Sequence, residues 1–200
     1  MTTFYTGRGD DGSTTDFTNP RRESKAGFLY EALGTLDELV SLLGVVRAKL
    51  STGQESADAR VRPSPSAAAS SLGSDPSPDA LLAVQEAIFI IQAEVADSPK
   101  RLGEEHVRWL EERIGEIGAV LPEIRTFFIP GEDEGAAMLD LARTVARRAE
   151  RALVRLHEEG ERPLCPPVLA YMNRLSSLLY VMARQRAHAA GKTEQRPSYK

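Results

Sequence analysis

Five stretches of this 200-residue chain carry apolar residues at alternating spacings of three and four positions. Because an α-helix has about 3.6 residues per turn, this spacing places the apolar side chains of each stretch on one helix face. The five apolar rows are Leu36, Leu39, Leu43 and Val46; Leu81, Val84, Ile88 and Ile91; Val107, Leu110, Ile114 and Ile117; Leu139, Ala142, Ala146, Ala149, Leu153 and Leu156; and Val168, Tyr171, Leu175, Leu178 and Met182. No convincing strand pattern accompanies them. We therefore predict an all-α fold, a five-helix bundle with an up-down core.

The segments between these rows set the boundaries. Residues 1–22 are rich in Gly, Asp and Thr and predict a loop or a short extended arm. The first helix is expected to end near Leu50, and Ser77-Pro78-Asp79 predicts the start of the second. Residues 51–78 are mostly Ser, Ala, Pro, Gly and Asp, a composition that buries too little apolar area to offset its ordering entropy. We expect a single domain, residues 1–200, with a flexible insert at 51–78.

The composition argues against several classes of protein. The single cysteine, Cys165, has no partner for a disulfide and no Cys or His companion for a zinc site, as is common in a reducing cytosol. No apolar run is long enough to span a bilayer, and residues 1–18 lack the features of a targeting peptide. The formal net charge of −4 argues against a general nucleic-acid binder. We expect a cytoplasmic protein that binds neither membrane nor nucleic acid.

A glycine-rich loop lies near the N-terminus. Three glycines between residues 7 and 12 permit positive φ angles and close approach of the backbone to a ligand. Successive backbone N–H groups, with the hydroxyls of Thr6, Ser13 and Thr14, suit an anion. The loop is not a Walker A motif, because no Gly-Lys-Ser/Thr follows it. The alternative is a disordered, turn-rich terminus.

Two predicted helices carry charged residues beside their apolar rows. Asp37 lies on the first helix, three positions after Gly34. On the fourth helix, Arg143, Arg147 and Glu150 share one flank, which suits a triphosphate or the carboxylate of a partner. A different row of that helix contains Arg148, Arg151 and Arg155. For each group the alternative is an ordinary solvated face with internal ion pairs.

Two more segments are candidates for a site. The run from Phe127 to Gly131 ends in Pro-Gly, so it is a turn that presents an aromatic ring or, alternatively, fills the end of the bundle. On the fifth helix, Asn173, Ser177 and Tyr180 share a polar face. The histidines are scattered and no Glu-x-x-His pair occurs, which argues against a di-iron bundle. No pairing of a nucleophile with a base stands out, so an enzyme of this sequence would need no protein nucleophile.

Together these segments resemble the PduO-type ATP:cob(I)alamin adenosyltransferases. The Thr-x-x-Gly-Asp-x-Gly-x-Thr loop of that family is matched by Thr6, Gly9, Asp10, Gly12 and Thr14. The family's Gly-Thr-x-Asp-Glu-Leu, Phe-Ile-Leu-Pro-Gly-Gly, Arg-Thr-x-x-Arg-Arg-Ala-Glu-Arg and Asn-Arg-Leu-Ser-Asp motifs are matched by residues 34–39, 127–131, 143–151 and 173–176. Each motif alone is a weak signal, but in this order, over most of the chain, they are a strong one.

The resemblance implies an activity and an assembly. The enzyme would transfer the 5′-deoxyadenosyl group of ATP to the cobalt of cob(I)alamin or a related corrinoid, release triphosphate and form adenosylcobalamin. It would be a homotrimer with ATP at the subunit interfaces. Mg²⁺ would be bound mainly through the triphosphate, with no metal ligand from the protein. A reductase and an adenosylcobalamin-dependent acceptor enzyme are the expected partners.

The resemblance also implies roles for residues. The nucleotide would be held by the loop within residues 1–22 and by residues further along the chain: Thr6, Gly9, Asp10, Gly12, Ser13, Thr14, Lys25, Arg147, Glu150 and Asn173. Asp37 would pair with Arg143 across an interface, and Phe127 would shape the corrin pocket. Cobalt(I) is itself a strong nucleophile, so the protein would contribute position and electrostatics.

The chain departs from the family pattern at four positions. The family's Asn is replaced by Val40 and its Gly by Glu132. Its His is replaced by Asp140 and its Asp by Ser177. These changes bear on turnover and corrinoid preference more than on the fold. They leave open the alternative of an ATP-gated corrinoid-binding carrier with little or no catalytic turnover. A purely structural helical bundle is a third hypothesis, which leaves the glycine loop and the arginine row unexplained.

Overall fold

The computed structural model describes residues 4–15, 21–58 and 76–199, apart from the side chains of residues 52–58. The described elements are two short strands, β1 (Ser13–Thr15) and β2 (Arg22–Ser24), and five helices, α1 (Phe28–Asp58), α2 (Pro78–Val95), α3 (Glu104–Val120), α4 (Glu134–Glu158) and α5 (Pro166–Ala189). The predicted five-helix bundle is confirmed. Among the described helices, none has the length and apolar character needed to cross a membrane.

The predicted apolar rows form the core. All the residues predicted for the rows of α1, α2, α4 and α5 are buried. In α3, Val107 and Leu110 are buried, whereas Ile114 and Ile117 are half-buried against the same core. Helix α4 packs against both α1 and α5, while α2 packs on α1 and α3 packs on α5. The alanines in the α4 row allow this central helix to lie close to both neighbours, since large and small side chains interdigitate.

Helix α1 is longer than predicted. It continues to Asp58 instead of ending near Leu50, so the first part of the predicted insert is helical. No proline occurs between Phe28 and Pro63 to stop the helix, and Gln54, Glu55 and Ala57 favour helix, although Ser51, Thr52 and Gly53 directly after Leu50 do not. Residues 59–75 of the insert lie outside the described residues. The predicted start of α2 is confirmed, with the Ser77 hydroxyl as the N-cap.

The strands β1 and β2 were not predicted. They pair antiparallel, with Ser13 opposite Ser24 and Thr15 opposite Arg22. Each strand is only three residues long, too short to show an alternating pattern in the sequence. The pairing turns part of the expected N-terminal loop into a small hairpin that precedes α1.

Candidate active site

Arg22 organises the glycine-rich loop. Its Nε donates to the Ser13 hydroxyl at 2.6 Å, and its Nη2 donates to the Ser13 carbonyl oxygen at 3.0 Å, to Asp11 at 3.1 Å and to the Arg8 carbonyl oxygen. Asp11 in turn accepts hydrogen bonds from the hydroxyl and the backbone N–H of Ser13. These bonds, with a smaller contribution from Arg22, lower the pKa of Asp11 to about 2. Sequence reasoning missed Asp11 and Arg22, because only the hairpin brings them together.

Lys25 closes the loop from the other side. Its Nζ donates to the Gly9 carbonyl oxygen at 2.7 Å, and its backbone N–H donates to the Gly12 carbonyl oxygen at 3.0 Å. A Cβ at residue 9 would lie 2.8 Å from that Nζ and 3.2 Å from the Ser13 carbonyl oxygen, so any larger residue would displace the lysine and crowd the backbone. The structure therefore brings the predicted loop and the predicted lysine together. Thr6 and Asp10 are exposed on this loop, and Thr14 is half-buried.

A groove of about 750 Å³ opens between the α3–α4 connection, α4 and α5. The residues that line it include Phe127 from the connection, Arg143 and Arg147 from α4, and Ser177 and Tyr180 from α5. These residues come from three separate predicted motifs, and the structure places them around one space.

The two adjacent phenylalanines of the connection differ in their surroundings. Phe127 is 77 % exposed at the groove. Phe128 is half-buried, and the Arg184 guanidinium lies 5.3 Å from the centre of its ring. Phe127 is thus the ring that is available to a ligand, whereas Phe128 packs against the bundle.

The charged residues of the groove differ in their partners. Arg143 donates from Nε to Asp140 at 2.7 Å, one turn away on α4, and both side chains are half-buried. Arg147 is exposed, and no side chain in the described parts of the chain pairs with its guanidinium. Asp37 is exposed on α1 and, within the same described ranges, its carboxylate also has no partner. The predicted pairing of Asp37 with Arg143 is not made inside one chain and stays a prediction.

Glu150 and Asn173 join α4 to α5. The Asn173 amide nitrogen donates to Glu150 at 3.0 Å, and Arg174 donates to the Asn173 amide oxygen at 3.3 Å. Among the described residues, no hydrogen bond or ion pair joins this pair to the N-terminal loop. The residues predicted to hold the nucleotide therefore form two groups in one chain: the loop with Lys25, and the group on α4 and α5.

Comparison with known proteins decides the family. The family model described as cobalamin adenosyltransferase matches residues 4–186. The chain belongs to the cobalamin adenosyltransferase family. It is 35 % identical over 185 residues to the corrinoid adenosyltransferase of Bacillus subtilis (strain 168), covering 90 % of this chain and 84 % of that protein. It is also 35 % identical over 197 residues to a corrinoid adenosyltransferase of Citrobacter freundii, covering 92 % and 94 %.

Solved structures of one family member are similar along almost the whole chain. A phenylalanine-to-alanine variant of the PduO-type ATP:corrinoid adenosyltransferase from Lactobacillus reuteri, complexed with cobalamin and ATP, matches with a TM-score of 0.78 and 25 % identity over 98 % of this chain and 99 % of that one. An arginine-to-lysine variant from the same organism, complexed with ATP, matches with a TM-score of 0.77 and 26 % identity over 97 % and 99 %.

The four departures from the adenosyltransferase pattern have different surroundings. Val40 is buried in the core, and its carbonyl oxygen accepts a hydrogen bond from Gln85. Asp140 and Ser177 line the groove, and Asp140 holds Arg143. Glu132 lines a smaller cavity together with Phe128 and Pro130. Only Asp140 and Ser177 therefore bear directly on the groove that contains Phe127 and Arg147.

Sequence reasoning also missed charged residues near the end of α5. Arg184 is 5 % exposed and binds Glu194, and Arg186 binds Asp133 through two hydrogen bonds of 2.8 and 3.1 Å. The signal for Arg184 was a charge directly after the apolar run from Val181 to Ala183, but its partner lies in the C-terminal segment. Sequence spacing does not show that this segment returns to the bundle.

Proposed function

We infer that the chain is an ATP:corrinoid adenosyltransferase, which transfers the 5′-deoxyadenosyl group of ATP to the cobalt of a reduced corrinoid and releases triphosphate. Membership of the family supports the reaction. The observation that carries the assignment within the structure is the groove that collects Phe127, Arg143 and Arg147 from separate motifs. Arg147 has no partner among the described side chains, so its charge is available to a polyanion.

In the proposed reaction, the protein positions the two substrates and supplies positive charge. Cobalt(I) attacks the saturated C5′ carbon of ATP, the bond from C5′ to oxygen breaks, and triphosphate leaves. Cations and backbone N–H groups stabilise the negative charge that develops on this leaving group. We assign that role to Arg147, to Lys25 and to the glycine-rich loop. Glu150 and Asn173 would orient the nucleotide, because they are already hydrogen-bonded to each other beside Arg147.

Phe127 is proposed to act on the corrinoid. A phenyl ring offers cobalt no lone pair and excludes water, so a corrin face against it has no axial ligand. Cobalt(II) without that ligand is easier to reduce to cobalt(I). The exposure of Phe127, next to a packed Phe128, supports this assignment.

We propose that a homotrimer completes each site. The loop with Lys25 and the group around Arg147 are not joined within one chain, so a neighbouring subunit would bring them together around ATP. Asp37 is exposed and would pair across the same interface with Arg143. Because Arg143 already has a partner in Asp140, Asp37 would either compete with Asp140 or share the guanidinium with it.

Mg²⁺ is expected to accompany the triphosphate. Among the described residues, no cluster of three or more His, Cys, Asp or Glu side chains could hold a metal ion. Mg²⁺ keeps much of its water and commonly binds phosphate oxygens, which fits a site with few protein ligands. The ion would partly neutralise the leaving group, and the groove supplies the remaining positive charge through Arg147.

The remaining proposals concern organisation and context. We propose one domain over residues 1–200, in which the segment within residues 1–22 binds the nucleotide and residues 59–75 are dispensable for folding. A cytoplasmic location is proposed because the described helices include no membrane span and Cys165 is a free thiol. A reductase that supplies cobalt(I) and an enzyme that accepts adenosylcobalamin are the proposed partners.

A single assay tests the function. The protein is incubated with ATP, Mg²⁺ and chemically generated cob(I)alamin, and adenosylcobalamin is quantified by chromatography, with a protein-free reaction as the control. We expect product in catalytic excess over the protein. Tight binding of both substrates without product would support the carrier hypothesis, and absence of ATP binding would support the structural bundle.

A further inference from the structure

We propose that Arg184 and Glu194 are positioning residues for adenosyl transfer, because they tie the C-terminal segment to the α3–α4 connection and so hold Phe127 at the groove. This inference rests on the proposed function, since it concerns the residue assigned to the corrinoid. It assigns a role to residues outside every motif that carries the family resemblance.

Arg184 is a buried charge with several partners. Its Nε and Nη2 donate to the two carboxylate oxygens of Glu194 at 2.5 and 2.9 Å, and Nη2 also donates to the Pro122 carbonyl oxygen at 2.9 Å. The guanidinium lies over the ring of Phe128. A buried guanidinium requires such partners, because an uncompensated charge is costly in the protein interior. The Arg184 side chain on α5 therefore contacts both the α3–α4 connection and the C-terminal segment.

The end of α5 directs the C-terminal segment back onto the connection. Gly191 has a φ of 66°, and the N–H groups of Gly191 and Lys192 donate to the carbonyl oxygens of His188 and Ala187, which is a Schellman motif. The chain then turns, Glu194 reaches Arg184, and the Gln195 carbonyl oxygen accepts a hydrogen bond from the Ile129 N–H at 2.8 Å. The bond at Ile129 lies two residues from Phe127.

The far end of the connection is held separately. Asp133 caps α4 by accepting from the Ala136 N–H at 3.1 Å, and it also binds Arg186. A Cβ at Gly135 would lie 3.1 Å from the Arg186 Nε, so the arginine lies directly against the start of the helix. This contact fixes where α4 begins but lies six residues from Phe127, too far to fix the direction of its ring. The bond to Ile129 and the packing of Phe128 on Arg184 are the contacts that do so.

The role is therefore distinct from binding of the nucleotide. Arg184 and Glu194 contact neither Arg147 nor the N-terminal loop among the described hydrogen bonds and ion pairs. Loss of their ion pair should release the Phe127 turn while the residues proposed for ATP stay in place. The expected defect is in the reduction of cobalt(II), the step that depends on the ring.

The test uses Glu194→Gln in the full chain, with Arg184→Lys as a second variant that keeps the charge. Arg162→Gln is the matched control, because Arg162 is a half-buried arginine paired with Asp97 at the other end of α4 and α5. We expect amide hydrogen exchange at Ile129 to be faster by about tenfold or more in Glu194→Gln and unchanged in the control. With ATP and cob(II)alamin, the four-coordinate cobalt species should fall several-fold, while the KM for ATP stays within about twofold of the wild-type value.

A double-mutant cycle separates positioning from general destabilisation. If Glu194 acts through Phe127, Glu194→Gln should cause little further loss of the four-coordinate species in a Phe127→Ala background. Unchanged exchange at Ile129 in both variants would overturn the proposal, and so would faster exchange with a wild-type amount of the four-coordinate species. Neither result affects the proposed function, because the wild-type enzyme would still be active. If the wild-type protein forms neither product nor that species, the proposed function has failed and this inference fails with it.

Discussion

Helix α4 carries two rows of arginines that differ in their partners. In the row on the side facing α1, the Arg148 guanidinium forms an ion pair with Glu38, and the Arg155 guanidinium lies 4.1 Å from the centre of the Phe28 ring. In the other row, within the described parts of the chain, the Arg143 guanidinium binds only its neighbour Asp140 and the Arg147 guanidinium binds no side chain. The adjacent acidic residues of α1 differ in the same way, because Glu38 pairs with Arg148 whereas Asp37 has no partner among the residues that the structure describes.

The difference separates structural charges from charges available to a ligand. Both rows have the same residue type on the same helix, so propensity and composition do not distinguish them. The row toward α1 finds its partners inside the chain, where an exposed ion pair contributes roughly 0–1 kcal/mol to stability. The row at the groove contributes little to the fold of one chain, and we infer that its partners are ATP and a second subunit.

The largest expected effect is that of Arg147→Ala. Removing one charge that stabilises a developing anion typically costs about 10²–10³ in rate, so kcat/KM for ATP should fall by that order. The matched control is Arg148→Ala, which removes an arginine from the neighbouring row and should leave ATP kinetics near the wild-type values. Steady-state kinetics with chemically supplied cob(I)alamin measure both. Equal losses in the two variants would mean that the rows do not differ in function.

Phe127→Ala is expected to have the next largest effect, and Phe128 offers its control. Starting from cob(II)alamin with a mild reductant, the Phe127→Ala rate should fall at least about tenfold, equivalent to roughly 1.4 kcal/mol of barrier. The defect should shrink when cob(I)alamin is supplied directly, because the step that needs the ring is then bypassed. Phe128→Leu should keep the ratio of the two rates. An equal defect with both cobalt states would place Phe127 in packing or general binding.

The proposed intersubunit pair should show coupling of intermediate size. Reversing both charges, with Asp37→Arg and Arg143→Asp, should restore more activity than either single reversal retains, with a coupling energy of about 1 kcal/mol. Asp140→Asn provides a sharper version, because it frees Arg143 from its partner within the chain. Coupling between Asp37 and Arg143 should then increase. If the double-mutant cycle shows no coupling in either the wild-type or the Asp140→Asn background, the proposed pairing of Asp37 with Arg143 is wrong.

The sequence predicts the bundle because its signal is periodic and local. Each apolar row repeats with the helical period, and the rows of four helices are buried in full. The site is predicted only in part. The family resemblance assigned Phe127, Arg143 and Arg147 to one active site, and the structure places them around one groove.

The missed residues depend on contacts distant in sequence. Arg22 reaches Asp11 because two three-residue strands pair, and Arg184 reaches Glu194 because Gly191 turns the chain back. Neither contact has a periodic signal. Helix α1 continues past its predicted end, where composition alone suggested a loop, and no proline between Leu50 and Pro63 stops it.

The smallest expected effect is on stability, in the row toward α1. Arg155→Ala removes a cation–π contact with Phe28, which at an exposed position contributes about 0.5–1 kcal/mol. For a chain of this length, 1 kcal/mol corresponds to roughly 2–4 °C in Tm, so thermal unfolding should shift by about 1–4 °C. Arg148→Ala should add a comparable or smaller decrease, and the two should be nearly additive because their partners differ.

Arg147→Ala should leave the Tm of the unliganded protein unchanged, since it removes no side-chain contact within the described chain. ATP should raise the Tm of the Arg155→Ala variant as it does for the wild type, and raise that of Arg147→Ala less, because ligand binding stabilises in proportion to affinity. A lower Tm for unliganded Arg147→Ala, together with normal ATP kinetics, would show that this arginine has a structural partner and would contradict the distinction between the two rows.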